Sequence, residues 1–245
     1  MEKLANPVVV DFPLQGEWIA PTTPARRVPS HGTDMLGQRY AYDFFRVDAR
    51  GGGHFWPGGH LRWWLFGCPT RAAYCWNETV HAPAAGRIIA VHDGVRERRR
   101  LYPVLDILRA LKNGLTLGGK IREGIGDLAG NYVIMESGSF HAFFAHLIPG
   151  SIPVVPGQKV AAGELLGRVG HTGNSTAPHL HFQLMDGPDP RTAAGLPCAF
   201  RGLEVFREGR WTPVATHIPG MGETVRPAAP RPTSARRRSP EKRGR

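Results

Sequence analysis

Short stretches of alternating apolar and polar residues, separated by glycine and proline turns, dominate the chain from residue 80 onward. The stretches at 131–136 and 140–147 flank a Ser-Gly-Ser turn, which predicts a β-hairpin. A further stretch at 178–185 has the same period of two. The 31 glycines and 22 prolines favour turns between short strands over long helices. We therefore predict a mainly β fold, built as an antiparallel sheet or sandwich.

One part of the chain has a different period. Apolar side chains recur at helical spacing near residues 103–113 and stop at Gly114, which predicts a short helix in an insertion. The glycine-rich stretch that begins at Gly51 indicates another insertion. We expect an extended lead-in at 1–30, a domain at 31–215 with insertions at about 48–79 and 96–126, and a tail at 222–245.

The positive charge of the chain is concentrated at its C-terminus. The net charge is +11, and residues 226–245 hold eight basic residues and one acidic residue, a net of +7. This segment is rich in proline, serine and arginine, so we predict a disordered basic tail. Such a tail can bind anionic wall polymer or lipid non-specifically. The rest of the chain carries only +4, and we expect no specific nucleic-acid partner.

Signals for membrane insertion and export are weak. No run of about 18 apolar residues indicates a transmembrane helix. The apolar stretch near the N-terminus is too short to predict a signal peptide. The three cysteines contain no Cys-x-x-Cys pair, so a cysteine-rich zinc site is not expected. Cys68 and Cys75 either form a disulfide in an oxidising compartment or stay reduced.

Two histidines two residues apart form the strongest chemical signal. In a strand over 178–184, His179, His181 and Gln183 share one face, because side chains alternate between the faces of a sheet. The intervening apolar residues can then pack into the core. Both imidazoles are free to line a groove, as metal ligands or as a ligand and a base.

Several motifs in order resemble the lysostaphin/LytM-type zinc endopeptidases. The loop at 167–177 leads into Pro-His-Leu-His-Phe, with Ala177 in place of a glycine and Gln183 in place of a glutamate. Further matches are His81–Gly86, Asn131–Ile134, Ala145–Leu147 and Val155–Gly163. The resemblance covers roughly residues 80–95 and 130–185, with 31–47 looser. It implies the duplicated hybrid-motif fold of that family.

The resemblance also implies roles for individual residues. His181 and Asp43 would bind Zn²⁺, and His146 and His179 would be the catalytic pair. A catalytic zinc site has three protein ligands and an open position for water, whose pKa the metal lowers. A neutral histidine can accept the proton of that water, and a second histidine can stabilise the oxyanion. No His-Glu-x-x-His motif is present, which excludes a thermolysin-type helix with a glutamate base.

The first zinc ligand departs from the family pattern. The usual motif has a histidine four residues before the aspartate, but Arg39 stands there and cannot bind zinc. His31, twelve residues before Asp43, is the preferred substitute, and His54 and His60 are the alternatives. A site with only two strong protein ligands is also open. Asp34 competes less well with Asp43, because aspartate is a routine choice in turns.

These observations predict a zinc metalloendopeptidase that hydrolyses peptide cross-links of bacterial peptidoglycan. The implied location is the cell envelope or the secreted fraction. The alternative is a non-catalytic LytM-like module that binds cell wall or regulates a partner hydrolase, and Arg39 at the usual histidine position motivates it. A carrier domain is a third reading, but Lys159 lacks the Met-Lys-Met context of a carrier lysine. The bond that is cut and the oligomeric state are left open.

Overall fold

The computed structural model describes residues 6–48, 55–115 and 124–228. Within these ranges the strands are β1 Val8–Asp11, β2 Trp18–Thr22, β3 Tyr42–Phe45, β4 Cys68–Pro69, β5 Thr79–His81, β6 Gly86–His92, β7 Arg100–Leu101, β8 Asn131–Ser137, β9 Phe140–Leu147, β10 Lys159–Val160, β11 Leu165–Arg168, β12 Leu180–Met185, β13 Gly195–Leu196, β14 Cys198–Arg207, β15 Arg210–His217 and β16 Thr224–Pro227. The α-helices are α1 Gly59–Phe66, α2 Pro103–Leu115 and α3 Gly126–Ala129, and short 3-10 helices occupy Met35–Tyr40 and Thr70–Ala72.

Twelve of these strands form one large sheet in the described residues. Its order is β1-β14-β16-β2-β3-β12-β9-β8-β6-β10, with β13 also paired to β12 and β15 to β14. The pairs are antiparallel except for β1 with β14, which is parallel. The prediction of a mainly β fold is confirmed, and the sheet is mixed because of this one pair.

The predicted hairpin is found as β8 and β9. Their register pairs Ser137 with Phe140 and Glu136 with His141, and Gly138 takes the positive φ of 59° that the tight turn needs. A register shift near Asn131 bends the strand pair. Strand β9 then continues as a neighbour of β12, so the hairpin supplies one wall beside the His-x-His strand.

Strand β12 separates an apolar face from a polar face. Leu180, Phe182 and Leu184 are fully buried in the main hydrophobic core. His181 and Gln183 lie between them in the sequence, so they point to the opposite face of the sheet. The register places His181 directly opposite Asp43 of β3 on one side and opposite Ala145 of β9 on the other. Backbone pairing therefore brings the two expected zinc ligands together.

The sheet extends beyond the predicted domain of residues 31–215. Strands β1 and β2 fall in the predicted lead-in and join the sheet, with Val10 and Trp18 buried in its core. Strand β16 pairs with β14 and β2, and it buries Val225. The prediction of a disordered tail is therefore wrong for residues 224–227, while residues 229–245 lie outside the described residues. These pairings join residues far apart in sequence, which local patterns do not reveal.

Two helices lie within the two expected insertions. The predicted helix near 103–113 is confirmed as α2, whereas α1 was not anticipated. Strands β4 and β7 pair at the base of these helices and tie the insertions to each other. Cys68, Cys75 and Cys198 are free and buried, so Cys68 and Cys75 form no disulfide here. In the described residues, no helix combines the length and apolarity needed to span a membrane.

Candidate metal centre and catalytic histidines

Asp43, His31 and His181 form a compact cluster. His31 Nε2 lies 3.0 Å from Asp43 Oδ2, and His181 Nδ1 lies 2.9 Å from Asp43 Oδ1. One potential ligand atom from each of the three residues lies within 4.8 Å of the others. His181 is buried, and the Asp43 and His31 side chains are less than one-fifth exposed. The structure thus brings together the three residues expected to bind metal.

The donor set fits a zinc ion. Two imidazoles and one carboxylate, with a position left for water, are a ligand set of catalytic zinc sites. The two nitrogens lie 2.9 and 3.0 Å from the Asp43 oxygens, and one ligand atom from each residue lies within 4.8 Å of the others. The three residues would therefore hold a zinc ion after small shifts of their side chains.

His31 reaches the cluster because its loop is attached to the segment that precedes β3. The Ser30 backbone N–H donates to the Arg39 carbonyl at 2.9 Å, and its hydroxyl donates to the Gln38 carbonyl at 3.2 Å. Arg39, at the position of the usual family histidine, directs its guanidinium away to Asp34 at 2.8 Å. Two backbone-directed bonds from Ser30 therefore place a histidine at the site despite the substitution at position 39.

Of the alternative ligands, only Asp34 has a described side chain. His54 lies outside the described residues, and His60 belongs to α1 with its side chain outside them. Asp34 has an exposed side chain and forms a surface ion pair with Arg39. Asp34 is therefore engaged elsewhere, whereas Asp43 meets His31 and His181.

Hydrogen bonds orient both histidines expected to bind metal. Gln183 Nε2 donates to the Leu36 carbonyl at 2.7 Å, which turns its Oε1 toward His181 Nε2 at 2.9 Å. Because an amide oxygen only accepts, His181 Nε2 carries a proton, and Nδ1 is the nitrogen that faces Asp43. Ser30 Oγ, which donates to a carbonyl, accepts from His31 Nδ1 at 3.1 Å. His31 Nε2 is therefore the nitrogen that faces Asp43.

His146 and His179 lie side by side next to this cluster. Their rings are 4.7 Å apart, and His179 Nε2 is 3.4 Å from Asp43 Oδ1. His146 Nδ1 donates to the Thr172 carbonyl at 2.8 Å, and His179 Nδ1 donates to the Ala177 carbonyl at 2.7 Å. Each Nδ1 therefore carries a proton, and each Nε2 is left for contacts within the cleft. The two expected catalytic residues thus have the same orientation and lie in one cleft.

Local backbone and packing hold this pair in place. His146 adopts a positive φ of 66°, which is unfavourable for a residue other than glycine. Strand β9 thus departs from extended geometry at the residue that points into the cleft. His179 stacks on Phe45 with ring centroids 4.9 Å apart and an interplanar angle of 10°. An aromatic wall from β3 therefore limits the rotation of the His179 ring.

Burial and the Asp43 charge set the protonation of the cluster. Burial opposes ionisation of Asp43, but the charges of His31 and His179 outweigh it and hold the Asp43 pKa well below its ordinary value. Burial and the neighbouring histidines hold the pKa of His146 well below its ordinary value. Burial also lowers the pKa of His181. For His179, the Asp43 carboxylate outweighs burial and raises the pKa.

A second layer of hydrogen bonds supports the loop before β12, and sequence analysis missed it. Arg98 Nη2 donates to His171 Nε2 at 2.7 Å, and His171 Nδ1 donates to Ser175 Oγ at 2.9 Å. Ser175 Oγ donates to the Ala177 carbonyl at 2.6 Å, the same carbonyl that accepts from His179. The chain of bonds thus runs from an arginine of the second insertion to a catalytic histidine. No motif marked Arg98, because its partners lie more than seventy residues away.

The cluster opens into a cleft of about 290 Å³. Its walls include all four site histidines and Asp43, together with apolar residues of α3 and β9. Leu128, Ile125 and Phe143 contribute that apolar surface. The site therefore combines a polar floor with an apolar wall, as ligand clefts commonly do. His81, His92, His141 and His217 are not among the residues that line it.

Comparison with known proteins gives the following similarities. Residues 110–192 match peptidase family M23, a span that includes the cleft histidines of β9 and β12 but not His31 or Asp43. A segment of 58 residues is 43% identical to the peptidoglycan DD-endopeptidase ShyA of Vibrio cholerae, covering 23% of this chain and 13% of that protein. A segment of 94 residues is 34% identical to the glycyl-glycine endopeptidase ALE-1 of Staphylococcus capitis, covering 38% of this chain and 25% of that protein.

The similarity is local in sequence and weak in overall superposition. The matched segments span a quarter or less of the two curated relatives. The catalytic domain of lysostaphin from Staphylococcus simulans is 19% identical, covers 74% of this chain and 88% of that domain, and superposes with a TM-score of 0.35.

Proposed function

Because this chain carries a peptidase family M23 domain of the lysostaphin/LytM type, we propose that it is a zinc metalloendopeptidase that hydrolyses peptide cross-links of bacterial peptidoglycan. The single observation that carries the proposal is the convergence of His31, Asp43 and His181 beside two further histidines. Two relatives named as endopeptidases, one of them for peptidoglycan, support the substrate class. The proposed location is the cell envelope or the extracellular space, where that substrate lies.

In the proposed mechanism, His31, Asp43 and His181 hold Zn²⁺. Zinc bound there would lower the pKa of a coordinated water and polarise the scissile carbonyl. His146 accepts the proton of the attacking water, because its lowered pKa keeps Nε2 unprotonated near neutral pH, and returns it to the leaving amine nitrogen. His179 donates a hydrogen bond from Nε2 to the oxyanion. In the metal-free protein the Asp43 carboxylate outweighs burial and raises the His179 pKa. The carbonyls of Thr172 and Ala177 orient the two rings throughout.

A non-catalytic module was considered because Arg39 stands at the position of the usual histidine ligand. His31 contacts Asp43 from a different loop, so the proposed ligand set does not depend on position 39. Hydrogen bonds to one ring nitrogen of each of the four histidines leave the other nitrogen facing Asp43 or the cleft. No described feature of the cleft favours a purely binding role over hydrolysis.

Metal content and wall hydrolysis test the proposal together. We expect purified protein to bind one zinc ion per chain and to clear a suspension of peptidoglycan. His179→Ala should retain zinc and lose clearing, because it removes a reacting group without removing a ligand. His141→Ala, on β9 but outside the cleft, is the matched control and should keep both properties. Clearing by His179→Ala at the wild-type rate, or no zinc bound at micromolar concentration, would contradict the proposal.

A further inference from the structure

Helices α1 and α2 expose an unusual amount of apolar surface. Leu61, Trp64 and Leu65 of α1 and Val104, Leu105 and Leu108 of α2 are between 48% and 75% exposed. We call these six residues the apolar helix face. The two helices contact each other, and Arg100 Nη2 donates to the Phe66 carbonyl at 3.1 Å across their bases. The exposed residues thus belong to one helical pair, whereas large exposed apolar residues elsewhere, such as Val155 and Met221, occur singly.

Helix α2 turns the buried carboxylate of Asp106 inward and three apolar side chains outward. Asp106 is 2% exposed, while Val104, Leu105 and Leu108 point to solvent. The Asp106 carboxylate accepts from the Tyr102 backbone N–H at 2.8 Å and lies 3.5 Å from Arg98 Nε. These polar contacts fix the rotation of the helix about its axis. Within residues 6–48, 55–115 and 124–228, nothing covers the apolar side of α2, an arrangement that is disfavoured unless another surface packs against it.

The charge around the helix face indicates what covers it. Residues 58–69 and 98–115 contain six arginine and lysine residues but only one acidic residue, Asp106, which is buried beside Arg98. The basic side chains of Arg62, Arg99 and Lys112 are exposed. A second copy of the chain would bring two positively charged surfaces together, which electrostatic repulsion opposes. Apolar side chains with a tryptophan and basic residues on short helices are instead typical of segments that lie in the interface of an anionic bilayer.

We propose that the apolar helix face docks into the surface of an anionic lipid bilayer, with Leu65, Trp64 and Leu108 entering the interface and Arg62 and Arg99 contacting lipid headgroups. The helices lie in the surface and do not cross it. Arg98, near the base of the helices, donates to His171 and to the Ser175 carbonyl in the loop before His179. This binding surface is separate from the proposed peptidase function, and its test does not use activity.

Co-sedimentation with vesicles tests the proposal on the full chain. We expect binding to vesicles of phosphatidylglycerol and phosphatidylcholine, and little binding to phosphatidylcholine alone. Replacing Leu65 and Leu108 together by glutamine should weaken binding to the anionic vesicles at least about tenfold, because each loses an inserted side chain. The matched control replaces Val155 and Met221 by glutamine, two similarly exposed residues outside the helices, and should bind like the wild type.

Two further measurements distinguish lipid binding by the apolar helix face from binding by the basic C-terminal segment and from pairing with a second copy of the chain. Replacing Arg62 and Arg99 by glutamine should also weaken binding about tenfold, since each basic residue contributes roughly 1 kcal/mol near an anionic surface. If the Leu65→Gln, Leu108→Gln protein bound anionic vesicles as well as the wild type, the basic C-terminal segment would account for binding and the proposal would fail. Sedimentation equilibrium that showed a dimer, converted to monomer by the same double substitution, would overturn it in favour of a second copy.

Discussion

The two proposed zinc ligands on strands and the proposed ligand on a loop are held by different kinds of interaction. Asp43 and His181 are cross-strand neighbours, so the pairing of β3 with β12 fixes their separation. His31 depends on hydrogen bonds from Ser30 to two carbonyls. A sheet register is maintained by many backbone bonds and a buried core, whereas a loop position held by two bonds can be lost with little other damage. The part of the site that is carried by strands, Asp43 and His181, is therefore more rigid than the loop that carries His31. We call these two residues the strand-borne half of the site.

The same division applies to the two histidines proposed to be catalytic. His146 lies on β9 and His179 directly precedes β12, but loop carbonyls hydrogen-bond to Nδ1 of both rings. Arg98, His171 and Ser175 in turn hold that loop. The strands thus determine where the chemical groups lie, and the loops determine which nitrogen carries the proton. Substitutions in the two regions should therefore have different signatures.

The largest effect is expected from the strand-borne half. His181→Ala removes a ligand and the partner of Gln183, so we expect loss of stoichiometric zinc and a fall in peptidoglycan hydrolysis of about a thousandfold or more. Elemental analysis of purified protein and the rate of clearing measure these changes. The fold should survive, because Leu180 and Phe182 keep the apolar face of β12 in the core. Full zinc content in His181→Ala would remove this residue from the ligand set.

The loop-borne ligand should have a smaller but related effect. We expect His31→Ala to weaken zinc binding on the order of a hundredfold, because two proposed ligands remain on the sheet. The thermal stability of the metal-free protein should stay nearly unchanged. Competition with a zinc chelator measures the affinity. His60→Ala is the control and should behave like the wild type. If His31→Ala kept its zinc and His60→Ala lost it, His60 would replace His31 as the proposed third ligand.

The supporting arginine should affect turnover more than metal binding. Arg98→Ala removes the donor to His171, so we expect kcat to fall about ten- to hundredfold while zinc content stays at the wild-type level. Arg98→Lys should restore part of the loss, since a lysine keeps the charge but cannot reproduce the guanidinium fork. Equal kcat in Arg98→Ala and the wild type would show that the loop holds its position without this contact.

The smallest expected effect is on the pH dependence of the folding stability of the metal-free protein. The folded-state pKa of His146 is lowered, so its contribution to stability is present above its ordinary pKa of about 6.5 and is lost as pH falls through the folded value. His179, whose pKa is raised, acts in the opposite sense and loses its contribution as pH rises through the folded value. We therefore expect His146→Asn to reduce the loss of stability that occurs as the pH falls below about 6.5.

Thermal unfolding of the chelator-treated protein at several pH values measures this difference. His141→Asn serves as the comparison, because it removes a histidine of the same strand outside the cleft. If the slope of Tm against pH were the same in His146→Asn as in the wild type, the buried His146 would not contribute to the pH dependence of stability.

Local sequence patterns were sufficient for several features of the fold. The β8–β9 hairpin, strand β12 and helix α2 follow from residue period and turn chemistry, which act over a few neighbouring residues. Helix α1 was not foreseen, because its glycine- and tryptophan-rich sequence has no clear polar face. Strands β1, β2 and β16 were assigned to flanking segments, since their partners are distant in the chain.

By itself, the sequence determined the kind of chemistry: alternation on β12 put His179, His181 and Gln183 on one face, and the ordered motifs indicated a zinc peptidase. Only the tertiary structure decided how the site is completed. The register that opposes Asp43 to His181, the approach of His31 and the support from Arg98 join segments twelve to more than a hundred residues apart. Such contacts depend on packing and backbone pairing between distant segments, which a local pattern does not encode.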